Sequence, residues 1–292
     1  MATRREALLE RRDDALAFTR DRLPGGSVLL EALERERESG GGLLAGGIAY
    51  RFFLWLVPFG LTVAAVLGLW AAEDPGSVEN SAREFGIGAA AAETIASDLS
   101  GSAPSRSSLL ALGLVLTLWF SLGAVRALRL AAAIAWQLKP TRVARPFHAV
   151  VAFNGLFLAN VAAAAVLALV RDALGLGVAA AALTLVAVPT ATAYAAIRLL
   201  PRRSDDWRDL LPGAILVGIG TQGLQVAMVV YFAPKLESSS QLYGALGVAV
   251  TILVYLYVVA RLVSISLFLD AALWERRALA AAAPSPPRSR SS

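Results

Sequence analysis

The chain has 292 residues, of which 57% are hydrophobic and 17% charged; its mean hydropathy is +0.62 and its net charge +5. A soluble domain is usually about half apolar and a quarter charged, so this composition is shifted toward a membrane protein. There is no cysteine and a single histidine, His148, which excludes disulfides, thiolate chemistry and a multi-histidine metal site within one chain.

Residues 1–42 are highly charged and lack an early apolar core with a cleavage site, so no signal peptide is expected and the first span is expected to direct its own insertion. Between residues 5 and 38 both signs alternate around an uneven apolar stripe of Leu8, Leu9, Leu16, Phe18 and Leu23. One or two short helices, broken at Pro24-Gly25-Gly26, are expected against the inner membrane surface. Six apolar blocks follow, within Leu43–Ala72, then Leu109–Ala127 with a helical continuation toward Trp136, Phe147–Val170, Val178–Leu200, Leu211–Ala233 and Tyr243–Leu269. Each reaches the roughly 20 residues needed to cross a bilayer core. Pro58 and Pro189 fall inside spans and are expected to bend them. The outer loop 73–108 carries six acids and two arginines, with a helix expected over SAREFGIGAAAAETIASDLS. Residues 275–292 are expected as a disordered tail ending in APSPPRSRSS.

The fold class expected is therefore all-α: a polytopic integral membrane protein with six transmembrane helices over 43–274. Placing the N-terminus inside assigns 21 basic residues to inner segments and 4 to outer loops, so both termini are expected to be cytoplasmic. At 1.5 Å per residue, Arg51, Arg126, Arg129, Arg198 and Arg261 come to one level near the cytoplasmic edge. They are read either as anchors that snorkel to headgroups or as a basic layer holding an anion or lipid headgroup. Asn154 and Asn160 in the third span, with Thr221, Gln222 and Gln225 in the fifth, form a candidate midplane polar group. Buried amides need partners, so interhelical hydrogen bonds and a polar substrate path are the two readings. Asp270 lies on the helix face opposite Arg261 and is read as an acid for an ion pair with Arg51, Arg126 or Arg129. Asp205, Asp206 and Asp209, interleaved with arginines, read as a solvated connector.

Four stretches, LLAGGIAYRFFLWLVPFGL, LWFSLGAVRALRLAAAIAWQL, LPRRSDDWRDLLPGA and SSSQLYGALGVAVTILVYLYVVARLVSISLFLDA, together resemble the YihY/BrkB family of bacterial inner-membrane proteins over roughly residues 35 to 275. The resemblance implies six membrane helices with both ends cytoplasmic. Two departures stand out: Phe268-Leu269-Asp270 replaces the family's usual Gly-Ala-Glu, and Arg51 stands where an aromatic is common. Labels attached to the family, serum resistance and a tRNA-processing ribonuclease, establish no chemistry.

Three function classes follow. Transport or handling of an anionic or amphiphilic, lipid-like substrate suits the arginine layer and the polar midplane. A structural or assembly factor in envelope biogenesis would act through protein partners or a homo-oligomer. An enzyme is the least supported, because a nuclease needs a metal-binding cluster or an acid/base pair. No phosphate-binding GxxxxGK[ST] loop is present. No metal, cofactor or nucleic-acid partner is expected; the expected partners are membrane lipids with anionic headgroups.

Overall fold

The computed structural model describes residues 26–71, 103–140, 143, 145–174, 178–227 and 233–282. Among them there is no strand. The helices are α1 (Gly26–Glu38), α2 (Gly41–Ala71), α3 (Ala103–Ala135), α4 (Pro146–Leu174), α5 (Val178–Leu199), α6 (Trp207–Ala227) and α7 (Ala233–Ala282). Four described segments are long and apolar enough to cross a membrane: Gly41–Gly60, Leu110–Ala135, Trp207–Ala227 and Ala249–Ala282. The helix expected in the outer loop, the segment before Pro24 and the APSPPRSRSS tail lie outside the described residues.

Local chemistry sets the helix ends. Gly40 takes φ +74° and closes α1, where the missing Cβ removes the left-handed penalty. Its carbonyl then accepts from Leu43 N and Leu44 N at 2.9 and 3.1 Å, opening α2 at once. Pro104, Pro146 and Pro234 stand in the first turns of α3, α4 and α7, where a proline forfeits no intrahelical donor. Past the end of α3, Gln137 adopts φ 51° while Leu138 N bonds back to Ala133 O at 2.7 Å. Pro58, Pro189 and Pro212 lie inside α2, α5 and α6.

Two boundaries differ from expectation. Residues 234–241, expected as an outer loop, are the first turns of α7; after Pro234 no glycine or proline interrupts them. At the other end α7 runs on through Ala282, so 275–282 is helical and not disordered. Ion pairs made by Glu275 and Arg276 to α1 hold that extension.

The helices form a ring. Each of α2 to α6 packs on the next in sequence, α6 packs on α7, and α7 closes the ring against α2 while α1 lies along α7. The main core is at one end, where the start of α2, the end of α3, the end of α5, the start of α6 and the second half of α7 meet. Ile48, Trp136, Leu210, Leu267 and Phe268 fill it. Small residues such as Ala49, Ala132, Ala214, Ala260 and Ala271 let the backbones approach between them. Farther along, Trp55 and Phe59 of α2 meet Phe153 and Phe157 of α4 with ring centroids 5.0 to 5.3 Å apart.

Candidate functional site

The polar residues of the spans tie helices together in two separate places. Trp55 Nε1 donates to Asn154 Oδ1 at 3.2 Å, and Asn154 Nδ2 donates to Ser121 Oγ at 2.7 Å and to Val150 O at 2.9 Å. Ser121 Oγ reaches Thr117 O at 2.6 Å, and the Thr117 and Thr62 hydroxyls lie 3.2 Å apart. One amide thus joins α2, α3 and α4. Asn160, nearly two turns along α4, accepts from Thr192 of α5 at 3.1 Å instead. Thr221 bonds to Gly218 O at 2.8 Å within its own helix; Gln222 is half-buried and Gln225 exposed on α6. The two asparagines thus bond to different neighbours, Asn154 to Trp55 and Ser121 and Asn160 to Thr192.

The five arginines also separate. Arg261 is committed: its Nη2 donates to Glu36 Oε2 at 2.9 Å. Glu36 is fully buried, and its Oε1 has no partner among the described residues. Burial pushes the Glu36 carboxyl above its ordinary value, while Arg261 and Arg37 pull it back. Gly41 and Gly42 make this pair possible, since a Cβ at Gly41 would lie 2.5 Å from Glu36 Cγ and one at Gly42 would lie 3.3 Å from Arg261 Nη1. Arg198 is exposed on α5, with its guanidinium 5.7 Å from the Tyr194 ring centre. Arg129 is half-buried on α3.

Arg51 reaches the stretch of α3 that carries Arg126. The Arg51 side chain crosses from α2 to α3 and lies over Gly123, where a Cβ would be 2.8 Å from Nη1. Arg126 follows one turn later on α3, and helical side chains lean back toward the N-terminus, over Gly123. Both arginines are exposed, and neither touches a carboxylate among the described residues. By contrast Arg35, Arg202, Arg261, Arg276 and Arg277 are each matched to an acid.

Asp270 meets a backbone amide and not an arginine. Its Oδ1 accepts from Gly213 N at 2.7 Å, and it is fully buried where α7 crosses the start of α6. The expected ion pair with Arg51, Arg126 or Arg129 is corrected accordingly: among the described residues Asp270 makes no ion pair and its Oδ2 has no hydrogen-bond partner, whereas Gly213, lacking a Cβ, lets the carboxylate reach the main chain beside Pro212. The solvated-connector reading needs a correction too. Asp205 and Asp206 are exposed, but Asp209 is buried, accepting from Ser204 Oγ at 2.6 Å and paired with Arg277 of α7. An open cleft of about 380 Å³ lies over this knot, lined by Asp206, Arg208, Asp209, Trp274, Arg277 and Ala278. Sequence reasoning missed Glu36 and Asp209 because each sits in a run of charges. For Glu36 the available signal was the adjoining Gly40-Gly41-Gly42; for Asp209 it was Ser204, five residues before it, whose hydroxyl holds the carboxylate. Among the described residues no three metal-capable side chains cluster.

Comparison with known proteins gives one match. Neither a curated protein nor a solved structure matches the chain. A family model described as Virulence factor BrkB matches residues 32–291. That match runs from α1 through α7 and takes in the Glu36–Arg261 pair, the Asp270–Gly213 contact and the Arg51–Arg126 flank, so the chain belongs to the BrkB family.

Proposed function

We propose that this protein handles an anionic amphiphile, a lipid or a lipid-like molecule, within the cytoplasmic membrane of a bacterium. On this reading the ring helices α2 to α7 are six spans, both chain ends are cytoplasmic, and the arginine-rich end of the bundle lies at the inner leaflet. The basic bias of 21 to 4 supports that orientation. The carrying observation is Arg51 and Arg126, two exposed cations on neighbouring helices with no acid beside them among the described residues, where Arg35, Arg202, Arg261, Arg276 and Arg277 are each paired with a carboxylate. A charge kept near hydrocarbon without an internal partner is costly and is offset by an external anion.

The test is transfer of headgroup-labelled phosphatidylglycerol between the leaflets of proteoliposomes, against phosphatidylcholine as the neutral-headgroup control. Transfer of the anionic lipid above protein-free vesicles, reduced by Arg51→Gln/Arg126→Gln, supports the reading. Transfer equal to that of protein-free vesicles for every amphiphile tried refutes it and leaves a scaffold for protein partners as the account to pursue.

A further inference from the structure

The Arg51–Arg126 pair borders a particular face of α3. Leu112, Val115, Trp119, Arg126 and Leu130 are all exposed. At 100° per residue they fall within a sector of about 60°. Most buried residues of α3, among them Thr117, Ser121, Ala124, Ala132 and Ala135, point the opposite way, toward the neighbouring helices; Ala133, near the end of the helix, is buried on the stripe's own face. The exposed stripe is therefore the outward flank of the ring and not its interior. Trp119 is 76% exposed on it. It lies seven residues, about 10 Å, from Arg126, deeper than the interfacial belt where tryptophan usually sits. On α2, Tyr50 and Val57 are also exposed, and the Arg51 side chain lies over Gly123 at the seam between the two helices.

We propose that this seam is a binding site for one anionic glycerophospholipid of the inner leaflet, with its phosphate between the Arg51 and Arg126 guanidinium groups and an acyl chain along Trp119, Val115 and Leu112. The inference rests on the proposed handling of an anionic amphiphile and names the substrate class and its place. Charge selects the occupant: two arginines with no acid beside them, one of which can lie across α3 because residue 123 has no side chain. Length agrees, since Arg126 to Leu112 spans about 21 Å, enough for a headgroup contact plus the roughly 15 Å depth of one leaflet. Arginine forks suit phosphate oxygens in the bidentate geometry that a lysine would lack.

Trp119 is the reporter. Vesicles containing brominated phosphatidylglycerol or brominated phosphatidylcholine quench nearby tryptophan, and the difference between the wild-type protein and Trp119→Phe isolates this residue's emission. Each basic contact near a membrane surface favours an anionic lipid several-fold, so brominated phosphatidylglycerol should be preferred by about tenfold or more. Arg51→Gln/Arg126→Gln should bring that preference close to one. Gly123→Ala, which displaces only the flexible end of Arg51, should fold normally and give an intermediate preference. Millimolar inorganic phosphate should leave the quenching unchanged. Equal quenching by both lipids overturns the proposal, as does a preference that survives in the double variant. Displacement by phosphate overturns it in favour of a soluble anion, and absence of quenching by either lipid overturns it in favour of a face covered by a second copy of the chain. Selective quenching without leaflet transfer would leave this site standing and sink only the handling function; transfer without selective quenching would do the reverse.

Discussion

Substituting Gly213 by alanine tests the contact that joins α6 to α7. A Cβ there would stand 2.6 Å from Asp270 Cγ and closer still to a carboxylate oxygen. Asp270 has nowhere to retreat, being fully buried with its Oδ1 held by Gly213 N at 2.7 Å. Overpacking of this kind costs about 1–3 kcal/mol. Losing the hydrogen bond while both groups stay buried adds about 1–3 kcal/mol. Alanine's better helix propensity returns at most about 1 kcal/mol. The net expectation is a destabilisation of about 3 kcal/mol. Gly223 is the control in the same helix, because a Cβ there meets nothing within 4 Å. Gly223→Ala should be neutral or stabilising by up to about 1 kcal/mol, so one chemical change has opposite signs ten residues apart. The assay is unfolding in mixed micelles under an SDS gradient, followed by tryptophan fluorescence. Gly213→Ala/Asp270→Ala should be more stable than additivity of the two single changes allows, because the shorter side chain admits the new methyl group. Equal stability of Gly213→Ala and Gly223→Ala would show that the carboxylate does not press on Gly213, and the reasoning would fail.

Three further outcomes are expected. Arg261→Met leaves Glu36 buried without its cation and should cost about 3–5 kcal/mol near neutral pH. Because burial raises the Glu36 carboxyl above its ordinary 4.5, the folded state holds this proton more tightly than the unfolded chain. Stability from this group is then full below about 4.5 and lost as pH rises through the folded value; Arg261→Met should deepen that loss, and Glu36→Gln should flatten it in the same unfolding assay run at several pH values. Asn154→Leu removes the amide shared by α2, α3 and α4 and leaves the Trp55 indole N–H unpaired, at an expected cost of about 1–2 kcal/mol; Trp55→Phe in that background should cost less than in the wild type. Since the chain has no cysteine, single cysteines at Ser77 and Ala278 give an uncluttered topology test. A membrane-impermeant maleimide added to intact inverted vesicles should label position 278 and spare 77, and the opposite pattern would overturn the assigned orientation.

Much of the fold was legible because membrane helices advertise themselves through long apolar blocks, and each block read from the sequence falls, over most of its described residues, on one of the helices α2 to α7. The ends were less legible. Residues 275–282 begin with three charges but continue Ala-Leu-Ala-Ala-Ala, strong helix formers, and the pairing of Arg35 with Glu275 and of Arg276 with Glu31 fixes them against α1. Arg51, Arg126, Arg129, Arg198 and Arg261 could be brought to one depth by counting residues, but depth is not direction. Whether two of them meet depends on the rotation of each helix about its axis, which is set by packing such as Gly113 against Thr62 and Gly123 under Arg51. Asp270 shows the same limit. Its acidity in an apolar setting marked it as in need of a partner, yet that partner is a main-chain N–H 57 residues away, and no pattern of side chains encodes it. Glu36 and Asp209 were hidden for the converse reason: a run of charges looks solvated until a glycine, or a serine such as Ser204, brings one member against a neighbouring helix.

The most direct test of the central claim, that Arg51 and Arg126 hold an anionic amphiphile, is native mass spectrometry of the protein released from its own membrane. The wild type should retain an anionic lipid as a discrete adduct. Arg276→Gln, altered at an arginine already paired with Glu31, should retain it too, and Arg51→Gln/Arg126→Gln should lose it. A wild-type protein free of anionic adducts, or the same adduct on the double variant, would contradict the account.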